Sequence, residues 1–99
     1  GQWVSTIEVE QALADGCGAS VRELAAVGFR NPDGLSSIAV FAVASPGAEE
    51  RARHALQQAI EALPKLKRPR EVRWLGELPK TPTGKLQRQR LRAALPAEE

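Results

Sequence analysis

The chain has no methionine and no tyrosine, one cysteine, one histidine and few aromatic residues (two Trp, two Phe) among its 99 positions. Each shortage removes a class of function. A lone cysteine, Cys17, cannot close an internal disulfide, and Gly16 and Gly18 on either side suggest a loop. As a nucleophile it would need a base beside it. The single histidine, His54, falls on a different predicted element, so Cys17 reads as an ordinary thiol. With no cysteine or carboxylate cluster around it, His54 reads as a solvated helix residue, and no metal site is expected. No apolar run approaches the roughly 18 residues of a membrane span. No targeting segment is visible, which makes the cytosol the expected compartment. Gly1 opens directly inside sequence with helix grammar, and methionine is absent throughout, so a piece of a longer chain is expected.

What is present is ordinary for a small globular domain: 42% hydrophobic and 26% charged residues, with a net charge of +2. The length suits one modest core, since single domains run to about 50–200 residues. The charge is unevenly spread. Residues 1–63 hold four Lys+Arg against eight Asp+Glu, whereas residues 64–99 hold ten against four. The second part is therefore expected to face an anion: a phosphate, a nucleotide, nucleic acid or an acidic protein surface.

"VSTIEVEQAL" opens a helix, with Ser5 as N-cap, Glu8 completing a capping box and Val4 with Val9 as a hydrophobic staple. Val9, Ala12 and Leu13 form its expected buried stripe, and "DGCG" its stop. "ELAAVGF" and "SSIAVFAV" read as strands joined by Asn31-Pro32-Asp33-Gly34, a strong turn signal, and predict an antiparallel hairpin. Ser45 and Pro46 are expected to start a helix over 48–62, whose Ala52, Ala55, Leu56, Ala59, Ile60 and Leu63 share one face. "EVRWL" predicts a short third strand, and "GELPKTPTG" a loop kept out of any ladder by its prolines. "KLQRQRLRAAL" predicts a closing helix with Leu91, Ala94 and Leu95 facing inward. The order α-β-β-α-β-loop-α gives an α+β fold: one small domain over residues 1–95, a short sheet with an antiparallel hairpin covered by helices, and a disordered tail at 96–99.

The most unusual stretch is "LPKTPTGKLQRQRLR", residues 78–92. It is not a phosphate loop of the GxxxxGK[ST] type. Gly76 lies too far upstream of Gly84, the prolines remove backbone donors, and Leu86 stands where a magnesium-binding hydroxyl belongs. No aromatic platform, zinc spacing or recognition-helix pattern accompanies the arginines, so no nucleic-acid module is recognisable.

The order of residues in this stretch resembles the closing motif of the adenylate-forming (AMP-forming) acyl-CoA synthetases, where Leu-Pro-Lys-Thr, Gly-Lys and a downstream arginine recur. The resemblance extends upstream. "GQWVSTIEVEQAL" is similar to the stretch just after the hinge of those enzymes, and "LPKLKRPREVRWLGELPKT" to the segment between the last long helix and the lysine loop. It implies the C-terminal lid domain of an acid:thiol ligase, and "GQWVS" with "KRPREVRW" looks most like the benzoate-type aryl-CoA ligases. Such enzymes activate a carboxylic acid with Mg-ATP to acyl-AMP and then transfer the acyl group to coenzyme A. The implied partners are thus an N-terminal adenylation domain of the same chain, which holds most of the ATP and Mg2+ contacts, the small-molecule acid and coenzyme A. Nucleic acid is not an expected partner.

By the same resemblance Lys85 is the adenylation cation, on a loop shaped by Gly84 and stiffened by Pro82. Gly1 is the glycine that lets a pantetheine arm pass, and Arg68 and Arg70 are contacts to coenzyme A phosphates. Leu66 stands where relatives often carry an aromatic against the adenine. Arg88 and Arg92 are expected either to pair with the larger domain or to be solvated, and Lys80 serves as internal control for Lys85. A lid that loads a carrier-protein thiol and an independent basic module for RNA or DNA stay open as alternatives.

Overall fold

The computed structural model describes residues 6–30 and 36–93, the side chains of Arg30 and Ser36 excepted. Helix α1 spans Thr6–Cys17, and strands β1 (Val21–Arg30) and β2 (Ser36–Ala44) pair antiparallel. Helix α2 (Glu49–Glu61) then crosses back, strand β3 (Glu71–Trp74) joins β2 in parallel, and helix α3 (Arg88–Ala93) closes the described chain. The sheet order is β1-β2-β3, with β2 in the middle. A helical connection is what a parallel neighbour needs. The α+β order expected from the sequence is the order found.

The central strand explains its own composition. Residues Ile38–Val43 are all buried, because β2 is covered on both faces. Ile38, Val40 and Ala42 join Val9, Leu13 and Cys17 of α1, Ala26 of β1 and Leu56 of α2 in one cluster. Ala39, Phe41 and Val43 face the other way, to Ala25, Val27, Leu78 and Leu91. The first face is thus covered by α1 and α2, the second by the loop after β3 and by α3. Phe41, Leu13, Leu56, Val9, Val27 and Val40 are the largest fully buried side chains. Each stabilises the fold by about 1.5–3 kcal/mol relative to exposure.

Several local expectations change. Ala12 is exposed, and the stripe of α1 is Val9, Leu13 and Cys17, one turn apart each time. Gly16 lies inside α1, where a Cβ would come 2.8 Å from Ala59 Cβ, so it serves the close approach of α1 and α2. Gly18, at φ 59°, marks the helix end. Cys17 is therefore a buried helix residue, not a loop thiol. Ser45 does not cap α2: its Oγ donates to Ala19 O (2.6 Å) and its N–H to Ser20 O (2.9 Å), fastening the end of β2 to a single 3₁₀ turn at Gly18–Ser20. The α2 cap position falls at Ala48, whose N–H donates to Ser45 O across a turn through Pro46 and Gly47, so Pro46 is not the first helical residue. Helix α3 starts at Arg88, three residues later than expected, because residues 85–87 are held in a hairpin. The Val4/Ser5 start of α1, the turn at 31–34, Ala94, Leu95 and the tail at 96–99 lie outside the described residues, as does Gly1.

Candidate functional site

The stretch singled out by the sequence folds into a hairpin of its own. Gly84 N–H donates to Thr81 O (2.8 Å), which closes a four-residue turn with Pro82 at its second position. A fixed φ near −65° suits that place. Gly84 at φ 90° reverses the chain in a conformation that costs other residues strain. Thr81 N–H donates to Lys85 O (2.8 Å), Lys85 N–H donates to Thr81 Oγ1 (3.0 Å), and Lys80 and Leu86 form an antiparallel bridge. Gln87 N–H donates to Pro79 O (2.9 Å). The prolines do keep this loop out of the main sheet. They do not prevent a ladder, because Pro79 contributes only its carbonyl and Pro82 only its φ.

The hairpin stem is anchored from below. Leu78 and Leu91 are buried, and Leu86 packs partly on the same face of the sheet. Lys80 Nζ pairs with Glu23 on β1, and this hydrogen bond holds the Glu23 carboxyl below the usual carboxylate range, against the opposing effect of its burial. Lys85 is different: it is exposed at the tip, and among the described residues its ammonium has no hydrogen-bond or ion-pair partner. Two lysines five positions apart thus have opposite surroundings, one tied down and one free to meet an anion.

Two of the three arginines of α3, Arg88 and Arg92, reach the edge strand β1, while Arg90 is exposed. Arg88 Nη1 donates to Glu10 Oε1 (2.9 Å) and to Ala26 O (2.8 Å), and Arg92 Nε donates to Gly28 O (3.1 Å). The reason is the free edge of β1, whose outward carbonyls need donors. Arg68 is likewise engaged: Nε donates to Leu63 O (3.0 Å) and Nη2 to Glu61 O (2.9 Å), so a cation closes the C-terminal end of α2. Arg70 is exposed, and its backbone N–H reaches Ile38 O (2.9 Å). Leu66 is 80% exposed. His54 is exposed on α2 away from any acid cluster, and burial pushes the Cys17 thiol pKa up, so neither offers a nucleophile. Sequence reasoning missed Glu10 and Glu23, the carboxylates that hold Arg88 and Lys80. Glu10 borders the buried stripe of α1, but its partner is 78 positions away and no local pattern links them.

An open groove lies between the start of α2 and the ends of β2 and β3, with Arg22, Arg53, Trp74 and Glu49 among its walls. Arg53 lies 6.0 Å from the Trp74 ring centre. Charges of both signs line it, and no titratable cluster converges there.

Comparison with known proteins agrees with this geometry. The profile of the family described as "AMP-binding enzyme C-terminal domain" matches residues 8–85, ending on the lysine at the hairpin tip. A benzoate–CoA ligase of Thauera aromatica is 41% identical over 95% of this chain and 18% of its own length. A 3-hydroxybenzoate–CoA ligase of Aromatoleum sp. (strain CIB) is 37% identical over 98% and 19%. The crystal structure of an anthranilate CoA ligase in complex with anthranoyl-AMP superposes with a TM-score of 0.75 at 36% identity, over 95% of this chain and 18% of that one. The chain thus spans about a fifth of the length of the relatives it matches. With fold, hairpin and profile in agreement along most of its residues, the chain belongs to the family of AMP-binding enzyme C-terminal domains.

Proposed function

We propose that this domain is the mobile lid of an AMP-forming acid:CoA ligase acting on an aromatic carboxylic acid, with Lys85 as the cation of the adenylation step. The observation that carries the reading is the ammonium of Lys85, exposed at the end of an anchored hairpin and without a partner among the described residues. In the first half-reaction a carboxylate oxygen bonds to the α-phosphorus of ATP and pyrophosphate leaves. Negative charge gathers where two anions meet, and a positioned cation that touches both offsets their repulsion. Lysine suits this as a compact charge on a long stem. In the second half-reaction the coenzyme A thiol attacks the acyl carbon and AMP leaves. The benzoate and hydroxybenzoate ligases among the relatives support an aromatic acid.

Among the described residues no group of His, Cys, Asp or Glu converges to hold a metal ion. As the family resemblance implies, the reading assigns Mg2+ and most ATP contacts to an N-terminal adenylation domain in the same protein. For coenzyme A phosphates Arg70 is the better placed of the two expected arginines, being exposed, whereas Arg68 already has two nitrogens committed to α2. Gly1, the expected pantetheine neighbour, keeps that role in the proposal.

The test uses the full-length ligase. Lys85→Ala should lower acid-dependent ATP–pyrophosphate exchange by about 10²–10³-fold, the scale of removing one preorganised charge-stabilising group. Thioester formation from supplied acyl-AMP should largely survive, and equal loss of both steps would overturn the assignment. Lys80→Ala should be the milder change to adenylation. Transfer to a carrier-protein pantetheine in preference to free coenzyme A would move the domain to the carrier-loading class.

A further inference from the structure

The two layers of the domain are joined at one point on the sheet edge. Glu10 belongs to α1, on one face, and Arg88 to α3, on the other, yet their side chains meet at Ala26 in the edge strand β1. Ala26 N–H donates to Glu10 Oε1 (2.9 Å), Arg88 Nη1 donates to Ala26 O (2.8 Å) and to the same Glu10 oxygen (2.9 Å), and Arg88 Nη2 lies 3.4 Å from Glu10 Oε2. Carboxylate and guanidinium thus complete both outward polar groups of Ala26 and each other. Two strand positions on, Arg92 completes Gly28 O. The spacing fits, since four helical residues rise about 6 Å and two strand residues about 6.8 Å, so one face of α3 reads alternate carbonyls along the edge.

This clamp sits at the root of the lysine hairpin. Arg88 directly follows Gln87, whose N–H closes the stem on Pro79 O. The other arm of the stem is held on the same strand by Lys80 and Glu23. Both arms are therefore tied to β1, with two residues between Arg88 and Lys85. A bidentate, charge-assisted pair fixes direction as well as distance. A lysine at the tip of a short hairpin inherits the tilt of its stem.

We infer that Glu10 and Arg88 are positioning residues for Lys85: their pair across the edge of β1 sets the orientation in which the hairpin presents the ammonium to the reacting phosphate. The inference rests on the reading of Lys85 given above. Arg88→Lys keeps the charge but not the fork that reaches Glu10 and Ala26 together. Glu10→Gln keeps an acceptor for Ala26 N–H and removes the charge that orients Arg88.

The experiment measures pyrophosphate exchange by the full-length ligase carrying each variant, alone and combined with Lys85→Ala, with thermal unfolding and the thioester step from supplied acyl-AMP alongside. Each single variant should lower kcat of exchange about 10- to 100-fold, the scale of a misplaced catalytic group, with KM for ATP and the thioester step unchanged. On top of Lys85→Ala neither should cost anything more, because the lysine it positions is gone. Losses that multiply with Lys85→Ala, or that fall equally on both half-reactions, would reduce the pair to a structural support and overturn the inference. Unchanged exchange in both variants would overturn it while leaving Lys85 intact as the cation. If Lys85→Ala itself left exchange unchanged, the reading of Lys85 and this inference would fall together. Should Arg88→Lys unfold the domain, Glu10→Gln carries the same comparison.

Discussion

Glu23 and Lys80 show how a single pair separates two lysines of one motif. Lys80 lowers the carboxyl pKa of Glu23 from its ordinary value of 4.5, so the folded state binds a proton at this group less readily than the unfolded chain. The pair's contribution is therefore complete above pH 4.5 and is lost as pH falls through the lower folded value. For a half-exposed pair it amounts to about 0.5–1 kcal/mol. Lys80→Ala should destabilise the domain by that amount near neutrality and by progressively less at a pH low enough to protonate Glu23 in both proteins. Urea unfolding at the two pH values checks this, and an equal cost at both would assign the effect to packing of the lysine stem. The sequence alone could rank Lys85 above Lys80 only by position in a resembling motif. The structure adds a physical difference: among the described residues a carboxylate lies beside Lys80 and none beside Lys85.

At the scale of elements, the contact between α1 and α2 depends on one missing side chain. Alanine at Gly16 would gain about 1 kcal/mol of helix propensity, and on that ground alone should stabilise. Its Cβ would meet Ala59 Cβ at 2.8 Å, and a methyl stub on a packed helix cannot swing away. Overpacking of this kind costs about 1–3 kcal/mol. Gly16→Ala should therefore lower stability by about 1 kcal/mol net, and adding Ala59→Gly should restore it. A gain in the single variant, seen as a higher urea midpoint at unchanged slope, would show that the helices can separate without penalty. The stripe of α1 was half legible for a related reason. Period alone admits Ala12 beside Val9, but only the direction of approach of α2 and the sheet decides which edge of the stripe is covered.

For the whole molecule, the basic excess of the second part of the chain has mostly internal uses. Lys67 meets Glu8 at 3.1 Å, Arg73 lies 3.9 Å from Glu71, Lys80 pairs with Glu23, Arg88 with Glu10, Arg68 closes α2 and Arg92 meets the edge of β1. Lys65, Arg70, Lys85 and Arg90 are exposed and their side chains have no partner among the described residues. The purified 99-residue chain should accordingly bind DNA or RNA weakly, with a shallow dependence of log K on log salt. It should also form no acyl-CoA from benzoate, ATP and coenzyme A, because the phosphate-binding machinery is not among its motifs. A steep salt slope would favour a nucleic-acid module, and measurable turnover would refute the lid reading.

The sequence by itself determined the elements and their order. Hydrophobic period separates helix from strand, Gly and Pro mark the turns, and the continuous apolar run of β2 requires cover on both faces. It also singled out Lys85, through the order of prolines, threonines and glycine around it. Only the tertiary structure decided what the arginines do. Glu10 and Arg88 are 78 positions apart, and their meeting depends on a strand edge that exists only once β1 has paired with β2 and both helices have docked. An edge carbonyl carries no mark in the sequence, since every residue has one, and which of them lack partners is a property of the assembled sheet.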